Sequence, residues 1–311
     1  MFPATWLKRK HPAPTCRAIP KGGKKGGQES GYGGRVNLVP RFSSGANVTP
    51  LPNSWRMDIP AGDASAYRFA QLDDYMRLPR GRFPSHPSLT LSLRARASSN
   101  SIAGTWGFGL WNDPFGLSLG FGGNPFRLPA LPNATWFFHA SEENWLSFKS
   151  GQKSENSTFE NNPEVLRDSK TISGNGFLAQ AFRSPKIPSP LLASLGLLSI
   201  PIALPILATR RMRKWLRGLA SRVIGEDGVR LSVDQTQWHG YRFEWSLTRS
   251  TFWVDDALVF ESPISPRPPL GLVIWIDNQF AKFTPEGELG FGVLKNEAAW
   301  LDVDEIVMRK T

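Results

Sequence analysis

A forty-residue block from Trp238 to Asp277 constrains the fold of this chain more than any other stretch. Apolar and polar side chains alternate from Tyr241 to Leu247, which is the period expected of a half-buried strand. Two more apolar runs follow, joined by Asp255-Asp256-Ala257, a polar break suited to a hairpin. Gly271 to Ile276 is continuously apolar, as expected of a strand covered on both faces. Four strands in so short a stretch predict a large antiparallel β architecture.

Further short strands are predicted on both sides of this block. They are Ser65–Leu72, Leu89–Ala97, Thr105–Asn112, Ala134–His139, Trp145–Lys149, Gly176–Arg183, Leu289–Leu294 and Trp300–Met308. Many short strands separated by turn residues are typical of a β-sandwich or jelly roll. Gly107 and Gly109 leave one face of their strand bare, so a backbone, an aromatic ring or a ligand can approach it closely.

The distribution of charge bears on the partners of this chain. The net charge is +11, but residues 1–45 carry +8 and residues 169–225 carry +9, which leaves −6 for the rest. A mildly acidic globular part argues against nucleic acid as a partner and favours an anionic surface such as a membrane. Residues 1–50 are rich in Gly, Pro, Lys and Ser, which predicts a disordered basic tail before a sandwich spanning 51–311.

An insert at 185–225 interrupts the predicted sandwich. Its first part, Ile187 to Thr209, has no charged residue, but four prolines argue against a straight transmembrane helix. A single crossing would also place the two halves of one sandwich on opposite sides of a membrane. The stretch is therefore expected to turn back or to lie in the interface.

The second part of the insert predicts a basic amphipathic helix. On a helical wheel one arc is apolar, and the opposite arc is basic. The residues expected to contact a membrane are Met212, Trp215, Leu216 and Leu219 on the apolar arc and Arg210, Arg211 and Lys214 on the basic one. This pattern is typical of attachment to a membrane surface. Packing of the apolar arc on the sheet, or on a second subunit, is the alternative.

Several site classes have no motif in this sequence. The single cysteine, Cys16, leaves no internal disulfide and no cysteine-based metal site. There is no phosphate-binding Gly loop ending in Lys-Ser/Thr, no Gly-x-Ser-x-Gly elbow and no His-Glu-x-x-His pair. We therefore expect no cofactor and no metal. The N-terminal sequence has no apolar run of signal-peptide length, so we expect a cytoplasmic protein, peripheral on the membrane if the insert attaches it there.

Three phrases resemble the concanavalin A-like jelly rolls of the family-16 glycoside hydrolases. They are HGYRFEWSLTRSTFWVDDALVFESP, PLGLVIWID and WLDVDEIVMRK, and TWGFGLWNDPFG is similar to the aromatic strand of such domains. The resemblance covers about 65–309 without the insert and implies a jelly-roll β-sandwich. The family's active strand carries Glu-x-Asp-x-x-Glu, and this sequence has no such string. The resemblance therefore implies the fold and a carbohydrate ligand, without the catalytic activity.

Carboxylates that stand near indoles are the candidate ligand-binding residues, because an acid can bind sugar hydroxyls while a ring face stacks. Together with a nearby histidine, the candidates are Trp111, Asp113, Trp136, His139, Trp275 and Asp277. Weak catalytic candidates are Asp113, Glu142, Glu143 and Asp277, since a hydrolase needs two carboxyl groups facing each other across a cleft. Each of these acids also suits a plain strand end. Asp302 and Asp304 are interpreted as a solvated strand face.

The sequence thus favours a lectin-like module that holds a glycan or an amphiphilic ligand on its concave sheet. A divergent glycoside hydrolase and a structural or oligomerisation protein are the alternatives.

Overall fold

The computed structural model describes residues 33–34, 36–114, 127–128, 130–153, 171–187 and 209–311. All of them belong to the unit Tyr32–Thr311. The predicted tail up to residue 32, the predicted loop from 154 to 170 and the apolar stretch 188–208 lie outside the described residues.

The described elements are almost all strands. In chain order they are β1 (Gly33–Gly34), β2 (Val39–Phe42), β3 (Asn47–Pro50), β4 (Ser54–Ile59), β5 (Phe69–Asp73), a 3-10 turn (Arg80–Arg82), β6 (Leu89–Ala97), β7 (Thr105–Trp111), β8 (Ala134–Ala140), β9 (Gly176–Arg183), helix α1 (Arg210–Val223), β10 (Gly225–Arg230), β11 (His239–Trp245), β12 (Ser250–Val254), β13 (Ala257–Ser262), β14 (Gly271–Asp277), β15 (Gln279–Phe283), β16 (Leu289–Val293) and β17 (Ala299–Lys310).

Two large antiparallel sheets contain most of these strands. The first sheet has the order β13-β12-β11-β6-β17-β4-β3, with β1 beside β17. The second sheet has the order β10-β9-β8-β7-β14-β5-β2, and β15 and β16 form a separate hairpin. This arrangement confirms the predicted all-β jelly-roll sandwich. As its apolar run predicts, β14 lies in the interior of the second sheet, between β7 and β5, and is buried on both faces.

Aromatic side chains from both sheets fill the space between them. Phe137 on β8 has no exposed surface, and its ring lies 5.6 Å from that of Phe108 in the same sheet. From the opposite sheet, the rings of Tyr241 and Phe252 lie 5.1 Å and 5.4 Å from it. Large rings bury much apolar area and favour tilted or edge-on pairs at these distances. Phe137 therefore joins the two layers at the centre of the core.

The edges of both sheets come from residues that the sequence assigns to a disordered tail. Strand β2 pairs with β5, and β3 pairs with β4, so residues 39–50 extend both sheets, and that part of the predicted tail is wrong. The two strands are short and carry Pro40 and Pro50, which is tolerated at a sheet edge. Their pairing depends on partners already in the sheet, which composition does not reveal.

Other differences from the predicted elements are local. Residues 145–149 were predicted as a strand, but Trp145 makes only an isolated bridge with Lys282. The strand predicted from Ser65 begins at Phe69, and the polar strand β10 begins at Gly225, the last residue of the predicted insert. Strand β4 was not predicted. In these segments tertiary contacts outweigh local propensity.

The prediction of a solvated acidic face on β17 is wrong for Asp302. Asp302 is 2 % exposed and accepts hydrogen bonds from Arg56 Nε and Nη2 at 2.7 Å and 2.8 Å. Arg96 donates two more bonds, at 3.2 Å and 3.1 Å. The guanidinium groups of Arg56 and Arg96 also lie 4.5 Å and 5.3 Å from the ring of Trp300. Asp302 is therefore a buried partner of two arginines, because β4 and β6 pair with β17 on its two sides.

Both flanks of the insert belong to the second sheet. Strand β10 pairs with β9 in the register Gly225↔Arg183, so the chain leaves the sheet after β9 and returns beside it. Helix α1 lies between these two strands in sequence, and Thr209 Oγ1 caps it by accepting from Met212 N at 3.4 Å. Among the described helices, none has the length and apolar character needed to cross a bilayer.

We predict that Phe137→Ala lowers the free energy of unfolding by about 3–5 kcal/mol, because the cavity would lie between two sheets that cannot both collapse into it. Urea unfolding followed by circular dichroism measures this change. Leu247 is 73 % exposed, so Leu247→Ala serves as the control and is expected to change the value by less than about 0.5 kcal/mol. Equal effects of the two substitutions would contradict this account of the core.

Candidate functional site

Three indoles meet on the outer face of the second sheet, away from the core. Alternation along β7, β8 and β14 sends Trp111, Trp136 and Trp275 to this face. The ring centroid of Trp111 lies 6.1 Å from that of Trp136 and 6.2 Å from that of Trp275, and the other two are 5.8 Å apart. The planes of Trp111 and Trp275 are parallel to within 5°. We call these three side chains the indole platform.

Two glycines on β7 let the platform lie close to the sheet. Gly107 is opposite Trp275, and a Cβ there would lie 3.0 Å from the outer ring carbon Cη2 of that indole. Gly109 is opposite Trp136, and a Cβ there would overlap the Cβ of Trp136. The glycine face of β7 identified in the sequence is thus the surface against which Trp275 and Trp136 pack.

Each indole N–H of the platform is bonded inside the protein. Trp111 Nε1 donates to Tyr75 Oη at 2.6 Å, and Trp275 Nε1 donates to Thr105 Oγ1 at 3.0 Å. Trp136 Nε1 lies 3.5 Å from Gln180 Oε1. These bonds fix the ring orientations, so the platform offers apolar ring faces rather than N–H donors. Trp136 is 9 % exposed, and the other two rings are half-buried.

A polar rim borders the platform on the side of β5 and β2. Gln71 lies directly opposite Trp275 on the neighbouring strand, and its Nε2 donates to Asp73 Oδ2 at 2.9 Å. Arg41 on β2 is opposite Gln71, and its Nη1 lies 3.7 Å from Asp73 Oδ2. Sequence reasoning missed these residues. The alternation along β5 places Gln71 and Asp73 on one face, but only strand pairing shows that this face adjoins Trp275.

On the opposite side of the platform, Glu226 on β10 anchors a loop across the sheet. Glu226 has no exposed surface, and its Oε2 accepts from the backbone N–H groups of Phe148 and Lys149 at 2.7 Å and 3.2 Å. Burial raises the pKa of Glu226, and these hydrogen bonds limit the rise. Gln180 Nε2 lies 3.4 Å from Glu226 Oε1, which links the anchor to Trp136.

Asp277 ends β14 two residues after Trp275, on the same face. Thr105 Oγ1 donates to its Oδ1 at 2.7 Å, and Tyr67 Oη donates to its Oδ2 at 3.1 Å. The backbone N–H of Gln279 adds a third bond at 3.2 Å. Burial raises the pKa of Asp277 to about 6, and the bond from Thr105 opposes that rise. Because Thr105 also accepts from Trp275, Asp277 holds that indole indirectly rather than facing a ligand.

Asp113 was predicted to face a ligand, but it is buried and supports the platform through Arg127. It has no exposed surface and forms an ion pair with Arg127. Arg127 also donates to the carbonyl oxygens of Met76 and Leu78 at 3.1 Å and 2.7 Å. Its guanidinium lies 5.5 Å from the ring of Tyr75, the residue that bonds Trp111. Burial raises the pKa of Asp113, and the charge of Arg127 opposes this.

The other predicted site residues do not join the platform. His139 points to the core, where its ring lies 5.8 Å from that of Trp106, and burial lowers its pKa to about 4. The alternation of β8 thus sends it to the face opposite Trp136. Glu142 and Glu143 are exposed in the turn that follows β8.

The acids that flank the platform have the wrong spacing for glycosidic cleavage. Asp73 pairs with Val273, four residues along β14 from Asp277, which corresponds to roughly 13 Å at ~3.3 Å per residue. Retaining hydrolases hold their two carboxyl groups about 5–5.5 Å apart, and inverting ones about 6.5–9.5 Å. Within the described ranges, no group of three or more His, Cys, Asp or Glu side chains could hold a metal ion.

The residues predicted to contact a membrane divide between two sides of α1. Trp215, Leu219, Arg210, Arg211 and Lys214 are exposed, whereas Met212 and Leu216 are half-buried. Arg217, which also falls on the basic arc of the helical wheel, is 5 % exposed and donates to the carbonyl oxygen of Phe283. The residues of the predicted apolar arc therefore differ in exposure, because the buried Arg217 turns its own side of the helix toward the protein.

No family model and no curated protein matches the sequence. Among solved structures, the chain is similar to an endo-β-1,4-glucuronan lyase from the fungus Trichoderma reesei, with 11 % identity, a TM-score of 0.41 and coverage of 89 % of this chain and 90 % of that one. It is also similar to a κ-carrageenase from Zobellia galactanivorans, with 10 % identity, a TM-score of 0.46 and coverage of 85 % and 81 %. It is similar as well to the laminarinase catalytic domain from Thermotoga maritima, with 10 % identity, a TM-score of 0.43 and coverage of 85 % of this chain and 80 % of that one.

We predict that Asp277 makes the free energy of unfolding fall as the pH rises from about 4 to about 6. In the unfolded chain this acid loses its proton near its ordinary pKa of 3.8, whereas the folded protein keeps the proton up to about pH 6. The folded state therefore binds more protons in this window, and a shift of this size corresponds to about 2–3 kcal/mol. Urea unfolding of the wild type and of Asp277→Asn at several pH values measures the difference.

The matched control for this prediction is Asp256→Asn. Asp256 is exposed in the β12–β13 turn, and its positive φ of 65° suits asparagine. The difference in unfolding free energy between the wild type and this control is expected to stay constant from pH 4 to pH 6. A constant difference between the wild type and Asp277→Asn would contradict the assignment.

Proposed function

We propose that this protein is a glycan-binding module and that the indole platform is its binding surface. The observation that carries the proposal is the set of three indoles held rigidly on one sheet face, with Gln71 and Asp73 beside Trp275. Nothing in the packing of the inner core requires aromatic rings on this outer face. The parallel rings of Trp111 and Trp275, with Trp136 tilted by 48° and 53° against them, therefore suit a ligand with an apolar face.

The chemistry of a sugar fits this surface. The axial C–H groups of a pyranose ring carry slight positive charge and pack against the negative face of an indole. The hydroxyl groups around the ring edge both donate and accept, so they suit the amide of Gln71, which is 8 % exposed, and the guanidinium of Arg41, while the buried Asp73 holds Gln71 in place. Because the indole N–H bonds already fix the rings, little side-chain entropy remains to be lost on binding.

The charges around the platform favour a neutral glycan. Arg41 lies near Asp73, so the positive and the negative charge of the rim partly offset each other. An anionic polysaccharide would need a surplus of cations, and the rim residues Gln71, Asp73 and Arg41 do not supply one. We therefore expect binding that changes little with ionic strength.

We predict that Trp275→Ala weakens binding of neutral oligosaccharides by about tenfold or more, since loss of a central aromatic anchor costs about 1–2 kcal/mol or more. A glycan array of neutral polysaccharide fragments identifies the ligand, and titration calorimetry then compares the variants. Gln71→Ala is expected to have a smaller effect of the same sign, because it removes one hydrogen-bonding partner and leaves the rings in place.

The control variant is Trp253→Ala. Trp253 is also a half-buried indole on an outer sheet face, but it belongs to the first sheet, where it lies 4.2 Å from the guanidinium of Arg242. Its loss is expected to leave glycan affinity unchanged. Thermal unfolding of each variant separates loss of binding from loss of folding.

Equal affinities of Trp275→Ala and Trp253→Ala, or no binding on the array, would refute the proposed function. Hydrolysis of a bound glycan would support the enzyme alternative instead.

A further inference from the structure

We propose that helix α1 and the β15–β16 hairpin form a surface that docks on an anionic lipid bilayer. Three side chains at spacings of four on the outer side of α1 are exposed: Trp215 at 60 %, Leu219 at 45 % and Val223 at 39 %. In the hairpin, Leu289 is 49 % exposed and Phe291 is 57 % exposed. The other exposed large apolar side chains among the described residues are Phe42, Leu51 and Leu247, which lie on separate elements.

Contacts on the inner side of α1 determine which residues face outward. Arg213 Nε donates to the carbonyl oxygen of Gly287 at 2.6 Å, and Arg217 donates to that of Phe283. Glu226 attracts the buried Arg217, and Ala220 packs against the apolar cluster on the outer face of the second sheet. Because these groups are fixed, the helix cannot turn Trp215, Leu219 and Val223 toward the protein.

The hairpin continues the apolar character next to the helix. Leu289 pairs with Phe283, and Phe291 pairs with Ala281, so these side chains share one face of the hairpin. The ring of Phe283 lies 5.8 Å from the guanidinium of Arg217, so the hairpin and α1 contact each other. The exposed apolar groups therefore belong to two elements that contact each other.

The charge of α1 indicates an anionic partner. The helix carries six Arg and Lys residues and no acid, and four of the cations are exposed: Arg210, Arg211, Lys214 and Arg222. The hairpin adds Glu286 and Glu288, of which Glu288 pairs with Lys282 at 3.3 Å. Hydrogen bonds from the backbone of Glu286 and from the side chain of Thr284 lower the pKa of Glu286, and the charges of Lys214 and Arg217 lower it further. These acids are outnumbered, so the exposed side of the helix stays cationic.

A bilayer satisfies both properties of this surface at once. Anionic headgroups bind the cations, while Trp215 and the aliphatic side chains enter the boundary between headgroups and acyl chains. Each exposed cation is expected to strengthen binding by a factor of about five at low salt.

The experiment is flotation of the full chain with liposomes of phosphatidylcholine alone or with a third of phosphatidylserine. We expect flotation with the anionic liposomes, reduced by high salt, and about tenfold or more weaker partitioning for Trp215→Ser/Leu219→Ser. The control Leu247→Ser removes an apolar side chain of greater exposure, 73 %, from the turn between β11 and β12 and is expected to float like the wild type. Every variant keeps the same basic N-terminal segment, so the comparison isolates α1.

A second pair of variants tests the contribution of the exposed cations of α1 to bilayer binding. Arg211→Gln/Lys214→Gln removes two exposed cations from α1, whereas Arg309→Gln/Lys310→Gln removes two exposed cations from the end of β17. Only the first pair is expected to weaken flotation. Quenching of tryptophan fluorescence by brominated lipid is expected to fall in Trp215→Phe, because Trp215 would be the indole that enters the bilayer.

Unchanged flotation of Trp215→Ser/Leu219→Ser, or no flotation of the wild type, would overturn the proposal. The oligomeric state, measured by analytical sedimentation, then distinguishes the other partners that could cover this surface. A dimer that this variant converts to a monomer would assign the surface to a second copy of the chain. A monomer throughout would assign it to contact with the chain's own apolar segment. Glycan binding by the platform is expected to survive all of these substitutions.

Discussion

The arrangement depends on the burial of both faces of the second sheet. Its inner face packs on the first sheet through rings such as Phe137, and its outer face is covered by indoles and by the residues that support them. All seven residues of β8 are buried, which is the consequence of coverage on two sides. Polar side chains on a sheet in this position are costly to bury unless they find partners within the protein.

This constraint explains why so many acids of the second sheet are bonded inward. Asp277, Glu226 and Asp113 each accept hydrogen bonds from the protein, and burial raises the pKa of each. Burial also raises the pKa of Asp74, to about 7, although the backbone of Leu272 donates to its carboxylate at 2.8 Å. Their partners hold loops and rings in place, so the same groups that are costly to bury give the indole platform its rigidity.

Strands with a strong local pattern were predictable from the sequence. The bounds of β6 and β9 agree with the alternation and apolar runs that predicted them, and Asp255 and Asp256 adopt the positive φ values of 48° and 65° expected of a tight hairpin. Strands β2 and β3 were not predictable, because four-residue edge strands with prolines have little intrinsic preference. Their stability comes from hydrogen bonds to β5 and β4.

By itself, the sequence determined the strands that have a strong local period of two and which of their side chains share a face. It thereby placed Trp111, Trp136 and Trp275 among the candidate binding residues. Only the tertiary structure decided which polar groups stand beside them and which way α1 faces. Asp277 meets Tyr67 from 210 residues away, and Arg217 meets Phe283 from 66 residues away. Such pairs follow from strand register and packing between distant segments, and no local pattern encodes them.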